Sequence, residues 1–194
     1  MSAKHTIDQV QQLQGKGMIK QIYDYLRGEK LRPEWRCLMF KNAARPKAYF
    51  TLWIMLNRKL PTIDRLAKWG MVLNKACVLC KSADEKIEHI YIQCHYAREV
   101  WERLLDWIDN QSRCPMTWSQ FMQWIFHHGK GKTKSAQLFK SILAEGVYGL
   151  WNERNKRIFE DTSRLEDKVV KEIAYVTISR ASNSIKSVIN QRKL

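Results

Sequence analysis

Apolar side chains recur every three or four residues along much of the chain, which is the spacing of one face of an α-helix. Glycines, prolines and polar clusters interrupt this pattern and mark helix ends. No internal repeat and no low-complexity segment is present. The sequence therefore predicts a mostly α-helical protein, and the predicted helices span residues 18–26, 46–60, 62–70, 96–108, 135–159 and 165–192.

Individual residues sharpen the predicted helix ends. Pro46 suits the first turn of the second helix, where proline costs no helical hydrogen bond, Thr62 suits the N-cap of the third, and Gly70 suits its end. The second helix shows a broad apolar stripe, as on a core-facing helix. This stripe consists of Tyr49, Phe50, Trp53, Leu56 and Leu60.

The pattern divides the chain into three parts. Residues 1–30 are predicted to be an N-terminal arm with a short helix, and residues 31–126 a helical domain. The polar, basic stretch 127–134 is predicted to be an exposed loop and is the best candidate boundary. Residues 135–194 then hold two long helices, which are expected to pack together as a hairpin.

Four residues in the second part have the spacing of a zinc site. Cys77, Cys80, His89 and Cys94 form the pattern Cys-x2-Cys-x8-His-x4-Cys. Zinc prefers four tetrahedral nitrogen or sulfur donors, and two thiolates separated by two residues can chelate it from one turn. Because three thiolates and one imidazole fill the shell, the sequence predicts one structural Zn²⁺, and not a catalytic metal.

The sequence offers other thiols and an imidazole near this site. His95 adjoins Cys94 and is an alternative donor, but a third soft thiolate matches Cys77 and Cys80 better, and His95 is expected to open the following helix. Cys37 and Cys114 have no partner at metal-binding spacing and are interpreted as small core residues or free thiols.

The composition indicates a globular protein in a reducing compartment. The chain has 194 residues, of which 45% are apolar, and eight tryptophans. No apolar run reaches 18 residues and the N-terminus lacks a secretory h-region, so an intracellular protein with no membrane partner is expected. Five cysteines in such a chain favour metal over disulfides. The nucleus is the favoured compartment, with a mitochondrion, a chloroplast or the cytoplasm as alternatives.

The net charge of +15 points to a polyanionic partner. Lysine and arginine release the counterions of phosphates, so nucleic acid is the leading partner, with RNA favoured. A basic surface that confers only solubility, or that meets an acidic protein or a membrane, is the alternative. The candidate contacts flank the zinc motif and are Lys41, Arg45, Lys47, Arg58, Lys59, Arg65, Lys68 and Lys75.

A second set of basic residues and three aromatic residues are further candidates for contact with nucleic acid. Lys130, Lys132 and Lys134, with Arg192 and Lys193, form a second candidate basic patch. Trp69, Tyr91 and Tyr96 lie near the zinc motif and could stack on unpaired bases, although aromatic residues at helical spacing are more often core.

Residues for catalysis are absent from the pattern. Two-metal polymerase chemistry requires clustered carboxylates, and the sequence contains no Asp-Asp pair. The segments 15–17 and 129–133 lack the full phosphate-loop spacing and are interpreted as flexible basic loops. A protein that is not an enzyme is therefore expected, with no catalytic residue.

The wider sequence resembles a known family. The resemblance is carried by Arg45-Pro-Lys-Ala-Tyr-Phe-Thr-Leu-Trp53, Leu60-Pro-Thr-Ile-Asp-Arg-Leu66, Cys77-Val-Leu-Cys80, Glu88-His-Ile-Tyr-Ile-Gln-Cys94 and the closing Trp101. Together these segments resemble the zinc-binding domain that follows the reverse transcriptase of plant LINE-type (non-LTR) retrotransposons. Residues 147–159 are similar to the segment after that domain, so the resemblance covers roughly residues 19–159.

The resemblance implies a nucleic-acid-binding domain that helps a polymerase hold template RNA or target DNA, and with the missing catalytic residues it leads us to expect a non-catalytic protein that binds RNA or single-stranded DNA. The chain begins with its own Met1 and carries no polymerase, so it is expected to be either a fragment or a stand-alone descendant of a retrotransposon protein. A structural or adaptor subunit of a large ribonucleoprotein or other assembly, docked through the long C-terminal helices, is the alternative function.

Overall fold

The structure of the chain is a computed structural model that describes residues 33–71, 74–108 and 115–189, apart from the side chain of Val188. The described residues from Glu34 to Ile189 form one compact unit. The predicted arm 1–30 with its helix 18–26 lies outside the described residues, as do Cys114, Arg192 and Lys193. The described residues that belong to the predicted parts 31–126 and 135–194 therefore share one compact unit.

The described residues are mainly helical, which confirms the predicted fold class. One isolated antiparallel bridge joins Ala76 to Asp84. The elements are α1 (Arg36–Met39), α2 (Pro46–Leu56), α3 (Ile63–Ala67), a π-helical turn (His89–Gln93), α4 (His95–Trp107), α5 (Trp118–Gly129), α6 (Lys134–Phe159), α7 (Glu166–Arg180) and α8 (Asn183–Ile189). None of these helices is long and apolar enough to cross a bilayer.

Helix α6 runs through the centre of this unit. It packs against α2, α4, α5, α7 and α8, and the hairpin partner α7 lies along it as predicted. Two glycines of α6 permit close approaches by its neighbours, since a Cβ at Gly146 would lie 2.5 Å from Cη2 of Trp101 on α4. A Cβ at Gly149 would lie 2.9 Å from Cδ1 of Ile173 on α7. The close packing of α4 and α7 on α6 therefore depends on the absence of side chains at Gly146 and Gly149.

The predicted inward face of α2 is partly wrong. The fully buried side chains on α2 are Ala48, Leu52 and Met55, whereas Tyr49, Phe50 and Trp53 are exposed. Both sets have helical spacing, so periodicity alone does not choose between them. The smaller side chains face α6 because a close helix approach excludes large rings. Pro46 occupies the first turn as expected.

The predicted helix 165–192 is interrupted, which corrects its continuity. Helix α7 ends at Arg180, Ala181 is extended with ψ 142°, and α8 begins at Asn183. The carbonyl of Ser182 accepts hydrogen bonds from the N–H groups of Ile185 and Lys186 and so starts the new helix. Ser and Asn favour such helix starts because their side chains compete with helical backbone bonding.

The predicted loop 127–134 is also shorter than expected. Helix α5 continues through His127 and His128 to Gly129. Thr133 caps α6 by accepting a hydrogen bond from the N–H of Ala136. The buried Lys140 ties the loop to α1, since its Nζ donates to the carbonyls of Phe40 at 3.1 Å and Gly131 at 3.4 Å.

Candidate metal centre

The three thiols and the imidazole of the zinc motif converge in space. The sulfur atoms of Cys77, Cys80 and Cys94 and a ring nitrogen of His89 all lie within 4.8 Å of one another. Sγ of Cys80 is 3.1 Å from Nε2 of His89. Cys77, Cys94 and His89 are buried, and Cys80 is half-buried. Three sulfurs and one nitrogen at this separation fit one tetrahedral zinc ion.

The first pair of ligands comes from a tight turn. The N–H of Cys77 donates to the carbonyl of Ala83 at 2.8 Å, and the N–H of Lys81 donates to the carbonyl of Cys77 at 2.7 Å. Lys81 lies in the left-handed region with φ 58°. The bridge between Ala76 and Asp84 closes the base of the turn. This geometry brings Cys77 and Cys80 to the same side.

The second pair depends on the π-helical turn. The N–H of Cys94 donates to the carbonyl of His89 at 2.8 Å, a bond that spans five residues. In a regular α-helix, residues five apart point about 140° apart, and the wider π turn reduces this angle. The turn therefore allows His89 and Cys94 to reach one ion.

Cys94, and not His95, belongs to the ligand cluster. The Cys94 side chain is buried, whereas His95 is exposed and is the first residue of α4, as expected. The carbonyl of Cys94 accepts from the N–H of Arg98 at 2.9 Å and so begins α4. The metal site thus fixes the start of this helix.

Contacts within the cluster and burial shift the pKa values of its three thiols in different directions. A hydrogen bond from the Cys94 thiol lowers the pKa of Cys77 to about 6, and the same bond raises the pKa of Cys94. Burial acts to raise the pKa of Cys80, but hydrogen bonds with Ser82 and His89 together outweigh it and the net shift is downward. Zinc takes thiolates as ligands, so binding here releases protons.

A buried ion pair joins the metal centre to α6. Glu85 and Arg154 have side chains 0% and 3% exposed, and Nη2 of Arg154 lies 2.8 Å from Oε1 of Glu85. The same carboxylate accepts the N–H of Ile63 at 2.9 Å, at the start of α3. One buried carboxylate therefore connects the loop after the first ligand pair with α3 and α6.

A second arginine of α6 contacts the ligand turn directly. Arg157 donates to the carbonyl of Leu79 at 2.9 Å, pairs with the buried Glu153 at 2.9 Å, and lies 4.5 Å from the ring centroid of Tyr96. Hydrogen bonds from Arg164 and Arg157 overcome the burial of Glu153 and lower its pKa.

Sequence reasoning assigned no role to these charged residues. A signal was present, since Glu145 and Glu153 have the helical spacing of buried positions such as Gly149 on α6. A carboxylate on a buried face requires a cationic partner. The cationic partner of Glu145 was not evident, because it is Arg45, which lies 100 positions away in the sequence.

Among the predicted nucleic-acid contacts, the arginines bond to other groups of the protein, whereas the lysines are exposed. Arg45 is bound internally, since its Nη2 lies 2.8 Å from Oε2 of the buried Glu145. Arg58 pairs with Glu88 and lies over the ring of Trp118 at 4.9 Å, and Arg65 donates to the carbonyl of Arg58. The exposed residues of the set include Lys41, Lys47, Lys59, Lys68 and Lys75.

The lysines of this set are unpaired cations. Among residues 33–71, 74–108 and 115–189, every ion pair uses arginine as the cation. Arginine suits internal pairing because its planar fork bonds carboxylates in fixed geometry, whereas lysine remains hydrated. The lysine charges are therefore balanced by solvent ions or by a partner.

A shallow pocket of about 350 Å³ lies beside α3. Its lining includes the cationic side chains of Arg58, Arg65 and Lys68, the indole of Trp69, and the carboxylates of Asp64 and Glu88. Trp69 is 64% exposed, whereas Tyr91 and Tyr96 are buried. The two tyrosines are therefore core residues, and only Trp69 of the three considered rings is accessible for stacking. Lys130, Lys132 and Lys134 are exposed near the start of α6.

Comparison with known proteins identifies the segment that holds the metal site. Residues 18–101, somewhat less than half of the chain, match a protein family described as zinc-binding in reverse transcriptase. The comparison with curated proteins gave no match, and neither did the comparison with solved structures. The matched segment contains all four metal ligands, but its description names neither plants nor LINE-type elements, so that part of the expectation stays a prediction.

Proposed function

We propose that the chain is a nucleic-acid-binding protein without catalytic activity, because residues 18–101 match a family described as zinc-binding in reverse transcriptase and contain a four-ligand metal cluster. RNA or single-stranded DNA is the proposed partner, with RNA favoured. We further propose an origin in a plant LINE-type retrotransposon. A reducing compartment, with the nucleus first, suits thiolate ligands and a nucleic-acid partner.

The observation that carries this proposal is the unpaired lysine charge around the metal centre. Lys59, Lys68 and Lys75 are exposed and make no ion pair with any described residue. Phosphates that bind such side chains release condensed counterions, which favours association. These contacts give affinity without sequence preference.

Zinc has a supporting role in the proposed function. Its closed shell of four protein donors leaves no position for a substrate or an activated water. Held by Cys77, Cys80, His89 and Cys94, the metal would instead fix the ligand turn, the π-helical turn and the start of α4. The basic residues thus lie on a preorganised surface.

A salt titration tests this proposal. We expect the variant with Lys59→Gln, Lys68→Gln and Lys75→Gln to bind a single-stranded RNA more weakly, because three phosphate contacts are lost. The slope of log Kd against log salt should fall by about 2, since each contact on a single strand contributes about 0.7. Fluorescence anisotropy with RNA and DNA of the same sequence measures both quantities.

The matched control removes the same charge elsewhere. Lys168→Gln, Lys171→Gln and Lys186→Gln change α7 and α8, and this variant should keep the slope of the unmodified protein. Equal loss in both variants would show that net charge alone drives binding. A wild-type affinity independent of salt would refute nucleic-acid binding by this surface.

An adaptor function is a second candidate, and exposed apolar side chains on the C-terminal helices favour it. Phe159 and Leu165 border the turn between α6 and α7, and Tyr175 is exposed on α7. Large exposed apolar groups often mark protein interfaces. This candidate places the protein in a ribonucleoprotein or another assembly.

Co-purification after nuclease treatment tests the adaptor candidate. We expect protein partners to remain bound once nucleic acid is digested, and the variant with Phe159→Ser and Leu165→Ser to lose them. The lysine variant described above serves as the control and should retain those partners. Loss of every partner on digestion would contradict an adaptor role.

A further inference from the structure

Helix α2 exposes an aromatic face that the core does not use. Phe50 is 58% exposed and Trp53 is 38% exposed, and Tyr49 lies beside them on the outside of the helix. Burial of such rings removes apolar surface from water and is ordinarily favourable. An exposed cluster of this kind calls for a partner.

The rings are held on a rigid support. The opposite face of α2 carries Ala48, Leu52 and Met55, all fully buried, and α2 packs against α6. Arg45, immediately before the helix, is fixed to Glu145 of α6 through its backbone N–H at 2.7 Å and its guanidinium. The aromatic face therefore lies on an anchored helix and loses little conformational entropy on binding.

The two most exposed rings of α2 are arranged in a way that suits planar ligands. The ring centroids of Phe50 and Trp53 are 5.9 Å apart, and their planes differ by 20°. A planar group that lies parallel to one ring is thus nearly parallel to the other. Nucleobases are planar and stack on aromatic side chains irrespective of sequence.

The charge around the rings selects the kind of partner. Helix α2 contains no acidic residue, and the exposed Lys47 lies three positions before Phe50, on the same side of the helix. Arg58 and the exposed Lys59 follow the end of the helix. A planar group attached to an anion fits this combination better than an uncharged apolar surface does.

We propose that Phe50 and Trp53 form a stacking platform for unpaired bases of a single-stranded nucleic acid, with Lys47 beside the adjoining phosphate. This inference rests on the proposed nucleic-acid-binding function and adds to it a preference for single strands. In a duplex the bases are already stacked on one another, so the rings gain contact only with unpaired ones.

The experiment compares a single strand with a duplex of the same length. The variant with Phe50→Ala and Trp53→Ala removes the platform from an exposed face, where alanine favours the helix. We expect its affinity for single-stranded RNA to fall by about tenfold or more. Its affinity for the duplex should change less than twofold, and its salt slope should stay the same, because no phosphate contact is lost.

A matched control removes two exposed rings elsewhere. The variant with Phe159→Ala and Tyr175→Ala should bind single strands as the unmodified protein does. Conservative variants such as Trp53→Phe should retain most of the affinity. Melting temperatures show that each variant is folded.

The outcomes separate this inference from the function on which it rests. If the unmodified protein binds neither single strands nor duplex, the proposed function fails. If it binds with a normal salt slope and the alanine variant binds single strands equally well, only the stacking platform is refuted. If the unmodified protein self-associates and the alanine variant is monomeric with unchanged RNA affinity, the face is a protein interface and the inference is overturned.

Discussion

Cys77→Ser and Cys94→Ser should each abolish zinc binding and unfold the surrounding helices. A closed structural site contributes about 10–16 kcal/mol of apparent binding free energy, which matches or exceeds the net stability of a typical domain. Both thiols are buried within the four-ligand cluster. Mass spectrometry of the metal content should give one zinc per unmodified chain and none for the variants, and circular dichroism should show loss of helix.

Cys37→Ser is the matched control for the loss of one sulfur atom. Cys37 lies outside the cluster and only borders the core, so its variant should keep one zinc and nearly the same melting temperature. Treatment of the unmodified protein with a strong chelator should reproduce the Cys77→Ser result. A metal-free chain with its helices still packed around residues 77–94 would overturn the structural role of zinc.

Arg154→Met should destabilise the fold by about 3–5 kcal/mol. This substitution leaves the carboxylate of Glu85 buried without its cation, and an uncompensated buried charge carries a cost of that order. Methionine fills much of the volume of the arginine stem, so a cavity contributes little. Urea unfolding, monitored by circular dichroism in the presence of zinc, measures the change in the free energy of unfolding.

An exposed arginine provides the comparison for Arg154. Arg103 pairs with Glu99 and Asp167 at the surface, and Arg103→Met should cost less than about 1 kcal/mol. The double variant Glu85→Gln with Arg154→Met should recover part of the loss, because it removes the stranded charge. Equal costs for Arg154→Met and Arg103→Met would contradict a special role for the buried pair.

The metal ligands were predictable because all four lie close together in the sequence, at the spacing of a zinc site. Two thiols separated by two residues, with a histidine and a third thiol close behind, leave few arrangements other than one ion. The π-helical turn that unites His89 with Cys94 was not predicted, although an ordinary helix would have pointed them apart. A π-helical turn, and not an α-helix, is the form that lets His89 and Cys94 bind the same ion.

Other features depend on contacts between distant parts of the chain. The face of α2 that meets α6 was misjudged because Phe50 and Trp53 are more apolar than Ala48, while packing space decides the outcome. The break at Ala181 was missed because the apolar period continues into α8. Arginine and lysine look alike in a count of charge, yet only the structure shows that arginines pair internally.

The segment that matches the family depends on contacts with residues outside it. Residues 18–101 match the zinc-binding family, but their buried Glu85 is neutralised by Arg154, outside that segment. Trp101, at the segment's end, packs over Gly146, which is also outside it. A chain cut at residue 101 would therefore expose the indole of Trp101 and leave the carboxylate of Glu85 without its cation, so we expect the zinc motif and α6 to unfold together.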